Sequence, residues 1–240
     1  MASYQTDFLM SSHRLSIIVP CYNEEKTVAE LLNRVIAAPM PNWEKEIIVV
    51  DDASRDGTRA ILKTFEQKVR VMYAEQNGGK GTVVRLGIAS ATGDYVLIQD
   101  ADLEYDPIDI QDLLAVVEKG AVEVVYGSRN LSPRTHQGGL IPRLGVWFIT
   151  KLINTLYRLS LTDVWTCYKL FPREAAGDLL AGRFESELLF TASLARRGYR
   201  FAEVPISYYP RPIAEGKKIR YRDGFYAIFI IIVDWIRHLV

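Results

Sequence analysis

The sequence predicts an α/β fold with a mostly parallel sheet flanked by helices. Three observations support this prediction: short apolar runs alternate with amphipathic stretches, two of the runs end directly in aspartates, and 49% of the 240 residues are hydrophobic, which is ample for a sizeable core. Strands that alternate with helices form right-handed β-α-β units, whose sheets bind ligands beyond the carboxyl ends of the strands. Because no repeat or linker divides the chain, we expect one domain over residues 1–240.

Each predicted strand is a short apolar run, and the predicted helices begin or end at recognisable signals. The strands are Leu15–Pro20, Glu46–Val50, Val69–Ala74, Tyr95–Gln99 and Val122–Gly127. The helices are Glu25–Ala38, which ends before Pro39, then Arg59–Gln67, Thr82–Ala91, one that starts at the cap Asp106-Pro107, and later Leu144–Leu159 and Gly224–Val240. This order places Tyr22, Asp52 and Asp102 just beyond strand ends, at one edge of the sheet.

The fourth strand ends in Asp100-Ala101-Asp102. Strand side chains repeat every two residues, so the two aspartates point the same way if the extended conformation persists through Ala101. Two adjacent carboxylates repel each other, and a hard divalent cation such as Mg²⁺ relieves the repulsion while sharing oxygen ligands with a substrate phosphate. The stretch therefore predicts a metal and diphosphate site, with an exposed acidic turn as the other interpretation of an isolated Asp-x-Asp.

The segment Asn77-Gly78-Gly79-Lys80-Gly81 is a glycine-rich loop that leads into a helix. Its spacing does not match the phosphate-binding motif GxxxxGK[ST], so a P-loop is excluded. Two interpretations remain open at this point. The loop is a tight turn that feeds the helix, or it places Lys80 near a diphosphate.

Composition and charge limit the class of protein. Basic and acidic residues number 29 each, but acidic residues predominate before residue 120 and basic ones after it, which suggests that the second half meets phosphate, membrane or nucleic acid unless the distribution is accidental. Cys21 and Cys167 lie far apart without CxxC spacing, which argues against a disulfide framework or zinc site and fits a reducing compartment. We find neither a signal-peptide pattern nor a run of about 18 apolar residues, and expect a cytoplasmic location.

The two late helices are apolar over most of their circumference. In Leu144–Leu159 one narrow face is polar, and in the last helix the polar stripe consists of Asp234, Arg237 and His238. A helix of this kind lies in a membrane interface or packs deeply against other helices. The basic and tyrosine-rich flank of the last helix favours the interface, with helix packing in a dimer as the alternative.

Taken together, these residues resemble the family 2 glycosyltransferases, in particular the branch that acts on dolichyl or polyprenyl phosphate. The motifs that carry the resemblance are Val19-Pro20-Cys21-Tyr22-Asn23-Glu24, Val50-Asp51-Asp52-Ala53-Ser54-Arg55-Asp56-Gly57-Thr58, Gly79-Lys80-Gly81, Asp100-Ala101-Asp102 and Tyr126-Gly127-Ser128-Arg129. The resemblance covers roughly residues 14–215. It implies a GT-A (Rossmann-like) fold, a nucleotide-sugar donor and Mg²⁺ or Mn²⁺ as cofactor, with a nucleotide-sugar-binding half at 14–130, an acceptor half at 131–215 and a membrane-facing tail at 216–240.

The resemblance also assigns roles to individual positions. The nucleotide-sugar set is Pro20, Tyr22, Glu24, Val50, Asp52, Asp100, Ala101, Asp102, Glu104, Arg129 and Arg211. Within it, Asp102 holds the metal with Asp100 beside it, Arg129 and Arg211 lie near the donor diphosphate, and Asp102, Arg129 and Arg211 carry the chemistry. Glu104 stands where the mannosyl enzymes commonly have Gln, and the Asn-x-Gly-Lys-Gly signal resembles the glucosyl enzymes. The donor therefore stays open between UDP-glucose, GDP-mannose and an N-acetylated hexosamine donor.

These features predict an inverting hexosyltransferase that glycosylates a polyprenyl or dolichyl phosphate, peripherally on the cytosolic face of a membrane. A phosphate monoester has its second pKa at about 6, so it is already an anionic nucleophile and needs cationic guidance instead of a base. Arg143, Lys217 and Lys218 are the candidates for holding the acceptor phosphate. We expect no nucleic acid among its partners; a homodimer or a membrane partner protein is a further candidate.

Two other functions stay open. A family 2 enzyme that acts on a glycan or glycolipid hydroxyl needs a general base, for which Glu187 is the candidate unless it is simply a first-turn helix carboxylate. A non-catalytic module that binds anionic lipid or RNA would use the basic, tyrosine-rich tail alone, and the intact Asp100 and Asp102 pair speaks against it.

Overall fold

The computed structural model of the chain describes residues 13–133, 140–178, 185–211 and 221–238. The strands are β1 (His13–Cys21), β2 (Trp43–Asp51), β3 (Arg70–Tyr73), β4 (Tyr95–Ile98), β5 (Val124–Ser128), β6 (Lys169–Pro172) and β7 (Phe201–Pro205). The helices are α1 (Val28–Ala37), α2 (Thr58–Lys63), α3 (Lys80–Ala89), α4 (Ile110–Val117), α5 (Leu140–Tyr157), α6 (Glu185–Arg196) and α7 (Tyr221–Arg237), with short 3₁₀ helices at Pro107–Asp109 and Arg173–Asp178.

The seven strands form one sheet in the order β3-β2-β1-β4-β6-β5-β7. All neighbouring strands are parallel except at β6, which runs antiparallel to both β4 and β5. The alternation of strands and helices therefore predicted the sheet correctly as mostly parallel, and the mostly parallel α/β class is confirmed. Strand β6 was not predicted because its sequence, Lys-Leu-Phe-Pro, lacks a run of β-branched residues.

The strand register sets the position of the site. Pro20 pairs with Val50, and Ile18 pairs with both Ile48 and Ile98, so β1, β2 and β4 end at the same edge of the sheet. The residues after these strands are therefore brought together there, as in other parallel sheets. The glycines and acids that the sequence singled out lie in these connections.

Side chains of the central strands alternate between two apolar layers, because successive strand residues point to opposite faces. Helices α1, α2 and α4 cover the face that carries Leu15, Ile17 and Val19. Helices α3, α5, α6 and α7 cover the other face, which carries Ile18 and Ile98.

Helices α5 and α7 expose apolar side chains in spite of this packing. The exposed residues are Leu144, Trp147 and Phe148 on α5, and Tyr226, Phe229, Ile232 and Ile236 on α7. The inner sides of the same helices, with Ile149, Ile153, Ala227 and Ile231, are buried. Among the described residues, no helix combines the length and the apolar character that crossing a bilayer requires.

Candidate active site

Three acids, Asp100, Asp102 and Glu104, follow β4 in a turn. The extended conformation that would point Asp100 and Asp102 the same way does not persist, because β4 ends at Ile98 and Leu103 adopts a positive φ of 61°. The Asp102 carboxylate accepts a hydrogen bond from the Glu104 amide, at 3.1 Å from Oδ1. As a result Asp100 and Asp102 face different partners.

The environment of Asp102 makes its negative charge unfavourable. Burial, together with the nearby charges of Asp100 and Glu104, raises the pKa of Asp102 to about 7, while Arg211 works in the opposite direction. The Asp102 Oδ2 atom lies 4.0 Å from Arg211 Nη2, beyond hydrogen-bonding distance. A cation placed beside Oδ2 would therefore favour the ionised carboxylate.

This donor set fits a divalent ion that is shared with a substrate. Within the described ranges, no group of three or more His, Cys, Asp or Glu side chains is arranged to hold a metal by itself. Mg²⁺ is commonly held by one or two carboxylates together with substrate phosphates and water. Asp102 fits the role of such a protein ligand, and a diphosphate would complete the coordination.

Asp100, the second predicted metal ligand, is engaged by Lys80. The Lys80 ammonium lies 2.8 Å from Asp100 Oδ1 and 3.0 Å from Oδ2. Lys80 also contacts Glu187 Oε1 at 3.1 Å and the Cys167 sulfur at 3.1 Å, and Lys169 Nζ lies 3.4 Å from Glu187 Oε2. The result is a line of alternating charges, Asp100, Lys80, Glu187 and Lys169, that runs from the site into the core.

These ion pairs decide the protonation of the buried groups. Burial works to lower the pKa of Lys80, but Asp100, Cys167 and Glu187 raise it well above the ordinary value. Burial works to raise the pKa of Glu187, and the two lysines outweigh it and lower that pKa. Lys80 is therefore held as a cation and Glu187 as an anion, which makes Glu187 a weak base.

The glycine-rich loop lies directly on Asp52. The Asp52 carboxylate accepts hydrogen bonds from the backbone amides of Gly78 at 2.7 Å and Gly79 at 2.9 Å. The Asn77 side chain donates to the backbone carbonyl of Asp52 at 3.1 Å. Gly79 has φ 81° and ψ 162°, a conformation essentially limited to glycine, and α3 begins at the next residue, Lys80. The loop is thus the tight turn of one interpretation, and it also aims Lys80 at the acid cluster.

Asp51, the neighbour of Asp52, has a different role. It is fully buried and its Oδ2 atom accepts the Arg59 Nε–H at 2.6 Å. Arg59 also donates to the Ala74 carbonyl at 2.6 Å and lies over the Tyr73 ring. Asp51 therefore ties β2 to α2 and to the end of β3, and Asp52 is the member of the pair that faces the site.

Arg129, at the end of β5, is held by an acid that the sequence did not single out. Its Nε and Nη2 atoms donate to the two carboxylate oxygens of Asp163, at 2.6 and 2.8 Å, and the guanidinium lies 5.1 Å from the centre of the Tyr208 ring. Burial works against its charge, but Tyr105, Asp163 and Tyr208 raise the pKa of Arg129 well above its ordinary value. Asp163 stands alone in its segment, so no motif in the sequence pointed to it.

Arg211 reaches the acid cluster from the opposite half of the chain. Its Nη2 atom donates to Glu24 Oε2 at 2.6 Å, and its Nε atom donates to the Asp102 carbonyl at 3.0 Å. Glu24, which follows β1, also accepts the Thr27 hydroxyl at 2.9 Å. The structure therefore brings Glu24, Asp102 and Arg211 together, although Glu24 and Arg211 are 187 positions apart in the sequence.

The other predicted positions lie around this cluster or outside the description. Pro20, Val50 and Ala101 are buried at the strand ends, and Tyr22 is partly exposed in the connection after β1. Arg143 belongs to the first turn of α5. Lys217 and Lys218 lie outside the described residues, so their predicted contacts with an acceptor phosphate stay predictions.

Two named proteins resemble the chain over most of its length. A dolichyl-phosphate beta-glucosyltransferase from Dictyostelium discoideum is 28% identical over 217 residues, which cover 81% of this chain and 66% of that protein. The protein of the same name from Drosophila melanogaster is 31% identical over 205 residues, which cover 75% and 63%. The chain spans just under two thirds of the length of these relatives.

The fold resembles solved structures as well. A glucosyl-3-phosphoglycerate synthase from Mycobacterium tuberculosis, crystallised with Mn²⁺, uridine diphosphate and phosphoglyceric acid, matches with a TM-score of 0.71 at 20% identity, covering 93% of this chain and 78% of that one. A further structure of that enzyme contains Mg²⁺ and uridine diphosphate. These similarities confirm the predicted GT-A fold. The model of the family described as Glycosyl transferase family 2 matches residues 16–180, more than half of the chain, and this chain therefore belongs to that family.

Proposed function

We propose that the protein transfers a hexose from a nucleotide-sugar to a polyprenyl or dolichyl phosphate, with inversion at the anomeric carbon. The observation that carries the proposal is the meeting of Asp102 with Arg211 and Glu24 at the carboxyl edge of the sheet, where Asp102 has a raised pKa. A partly buried carboxylate can hold a divalent cation, and an arginine beside it can bind the diphosphate that shares the cation. The family membership supports the same reaction class.

The reaction first requires that the negative charge on the leaving diphosphate is stabilised. A divalent cation, when bound, supplies Lewis-acid stabilisation of the charge that develops there. Asp102 would hold that ion, and Arg211 would contribute a second positive group from the other half of the chain. Arg129 is fixed by Asp163 and lies under Tyr208. Its positive charge is therefore already in position before the donor binds.

The reaction also requires that the acceptor is a nucleophile and is held in position. A lipid phosphate is already ionised near neutral pH, so it needs orientation but no base. This agrees with Glu187, the candidate base, being an anion locked between Lys80 and Lys169. The names of the two relatives support a dolichyl phosphate acceptor and a glucosyl donor, so we propose UDP-glucose as the first donor to test.

We further propose that α5 and α7 dock the protein on the cytosolic face of a membrane. Three apolar side chains on α5 and four on α7 face outward, including Trp147 and Phe229, each more than half exposed. Aromatic and aliphatic groups on a helix face insert into the headgroup boundary of a bilayer. A lipid-linked acceptor would then reach the site from the surface on which the protein lies.

A transferase acting on a glycan hydroxyl is the alternative within the same fold. It needs a carboxylate that accepts a proton, and the pKa of Glu187 is lowered by its two lysine partners. The charge pairing of Glu187 therefore counts against this alternative. We place it second.

The test is a transfer assay with Mn²⁺ that combines UDP-glucose, GDP-mannose or UDP-N-acetylglucosamine with dolichyl or undecaprenyl phosphate. We expect transfer from one donor to the lipid phosphates and a β-linked product. Dolichol, which has the same chain without the phosphate, is the matched control and should accept nothing. Transfer to a hydroxyl acceptor without transfer to any lipid phosphate would overturn the proposal.

A further inference from the structure

Glu104, which the family resemblance places among the donor-binding positions, has both carboxylate oxygens occupied by the segment that follows β7. Glu104 Oε2 accepts the Tyr208 hydroxyl at 2.9 Å, and Glu104 Oε1 accepts the Arg211 backbone amide at 3.0 Å. The Glu104 carbonyl accepts the Tyr209 amide at 2.9 Å. One residue of the acidic turn thus makes three hydrogen bonds to a segment about 100 residues later in the chain.

Aromatic contacts hold the same segment against the turn. Tyr105 forms an isolated antiparallel bridge with Tyr208, and the centres of their rings lie 5.3 Å apart. On its other side Tyr105 stacks on Tyr168 at 5.3 Å, with the planes nearly parallel. The position of Tyr208 is therefore fixed by packing as well as by its hydroxyl.

The contacts of Glu104 determine the position of Arg211. Its amide is held by Glu104, so the start of its side chain is fixed at the edge of the acid cluster. From there the guanidinium reaches Glu24 and the Asp102 carbonyl, and Nη2 comes within 4.0 Å of Asp102 Oδ2. Without the bonds from Glu104, the backbone of Arg211 would be free to leave the cluster.

We propose that Glu104 is a positioning residue that anchors residues 208–211 over the acid cluster and so places Arg211 for the donor diphosphate. It acts through Arg211, because its two carboxylate oxygens accept the Tyr208 hydroxyl and the Arg211 amide. The ligand named here rests on the proposed function, whereas the anchoring contact is a property of the protein alone.

A glutamine at this position distinguishes anchoring from charge. The amide oxygen of Gln can accept the Arg211 N–H, and its NH₂ group can donate to the Tyr208 phenol oxygen, so Glu104→Gln preserves both bonds while removing the charge. Glu104→Ala removes both bonds. A residue that acts only through its negative charge would be damaged by either change.

The first experiment needs no ligand. Hydrogen exchange of the unliganded protein is measured by mass spectrometry for peptides that contain residues 206–211. We expect Glu104→Ala to raise the exchange rate of this segment about tenfold or more, and Glu104→Gln to stay within about threefold of wild type. Unchanged exchange in Glu104→Ala would overturn the proposal, whatever the protein's substrate is.

The second experiment measures the affinity for uridine diphosphate and guanosine diphosphate with Mn²⁺ by calorimetry. For the diphosphate that wild type binds, we expect Glu104→Ala and Arg211→Ala each to lose about 10- to 100-fold in affinity, and the double variant to lose no more than Arg211→Ala alone. Additive losses, or a loss in Glu104→Gln as large as in Glu104→Ala, would contradict positioning through Arg211. If neither diphosphate binds wild type, the proposed donor fails while the exchange result still decides the anchoring role.

A matched control is available on the far edge of the sheet. Glu66 accepts the Tyr73 hydroxyl at 2.8 Å, so Glu66→Ala removes a bond of the same type away from the acid cluster. We expect it to leave both the exchange of residues 206–211 and the diphosphate affinity as in wild type. A change in either measurement would show that loss of a Tyr–Glu bond acts through general loosening, and would contradict the proposal.

Discussion

Asp102 illustrates how a partly buried carboxylate can oppose the stability of its own fold. Its pKa is about 7 in the folded protein and 3.8 in an ordinary environment. Between these values the folded state binds the proton more tightly than the unfolded state, so the free energy of unfolding falls as pH rises through this window. Above pH 7 the full cost of the charge is present, and below about pH 4 it vanishes.

Asp102→Asn should therefore separate function from stability. With EDTA present, we expect the variant to be more stable than wild type at pH 8, by at most about 4 kcal/mol, and equally stable near pH 4. We also expect Mn²⁺ affinity, measured by electron paramagnetic resonance, to fall sharply at pH 8. Asp112→Asn, on the exposed side of α4, is the control for both measurements. A variant that binds Mn²⁺ normally, or that unfolds, would refute this role of Asp102.

Glu187 gives a second prediction for a single residue. Because two lysines hold it as an anion, we expect Glu187→Gln to lower the transfer rate by less than about tenfold and to leave the acidic limb of the pH profile in place. Loss of a general base would lower the rate by about 10²- to 10⁴-fold. A loss of that size, together with disappearance of the acidic limb, would restore the hydroxyl-acceptor alternative.

At the level of secondary structure, the start of α3 depends on Gly79. An alanine there must adopt a conformation that costs on the order of 1–3 kcal/mol, and relaxation would pull the loop amides away from Asp52. We expect Gly79→Ala to lower both the melting temperature and the affinity for nucleoside diphosphate in calorimetry. Gly198→Ala is the matched control, because Gly198 has a φ of 79° with open space around it and lies after α6, away from Asp52. It should lower the melting temperature alone; equal losses of affinity would argue against a specific role of the loop.

The outer faces of α5 and α7 carry the prediction about membranes. Replacing Trp147 and Phe229 by serine removes two large exposed apolar side chains without touching the buried sides of the helices. We expect the double variant to bind vesicles of phosphatidylcholine and phosphatidylserine at least about tenfold more weakly in sedimentation, because less apolar area enters the bilayer. Leu86→Ser, at an exposed position on α3, should bind as wild type does. Equal binding of all three proteins would refute the docking face.

The strands with apolar runs were predictable, whereas β6 and β7 were not. The runs in β1 and β2 are rich in Val and Ile, which fit a buried strand. Strand β6 begins with a lysine and ends with a proline, and β7 contains Glu203, so neither has a pattern that separates it from a loop. The helix starts were displaced by two or three residues where turn geometry decided them, as at Val28 and Lys80.

Some residues of the candidate site could be found from the sequence, and others could not. Asp102, Glu24 and Arg211 could be singled out from the sequence because each belongs to a motif or a resemblance that names its position. The contacts of Lys80 with Glu187 and of Arg129 with Asp163 join residues 107 and 34 positions apart, and they depend on how the second half of the sheet folds back. Local pattern does not contain that information, because it is set by the strand order.

For the whole molecule, strand β6 joins the two halves of the chain into one sheet. Leu170 is fully buried and lies opposite both Leu97 on β4 and Val125 on β5. We therefore expect one calorimetric transition. We expect Leu170→Ala to lower the free energy of unfolding by about 2–5 kcal/mol, and the variant should still unfold in a single transition. Two separate transitions, in wild type or in the variant, would contradict the prediction that residues 1–240 form a single domain.

The reversed direction of β6 also limits how the gene can be divided. A product that stops before residue 165 would keep β4 and β5 with an empty slot between them, and a separately made remainder would have to thread into that slot to complete the sheet. During refolding at high concentration, β6 of another copy can compete with the chain's own β6 for this slot. Intertwined pairs are therefore the expected by-product of refolding at high concentration, and their share should fall on dilution.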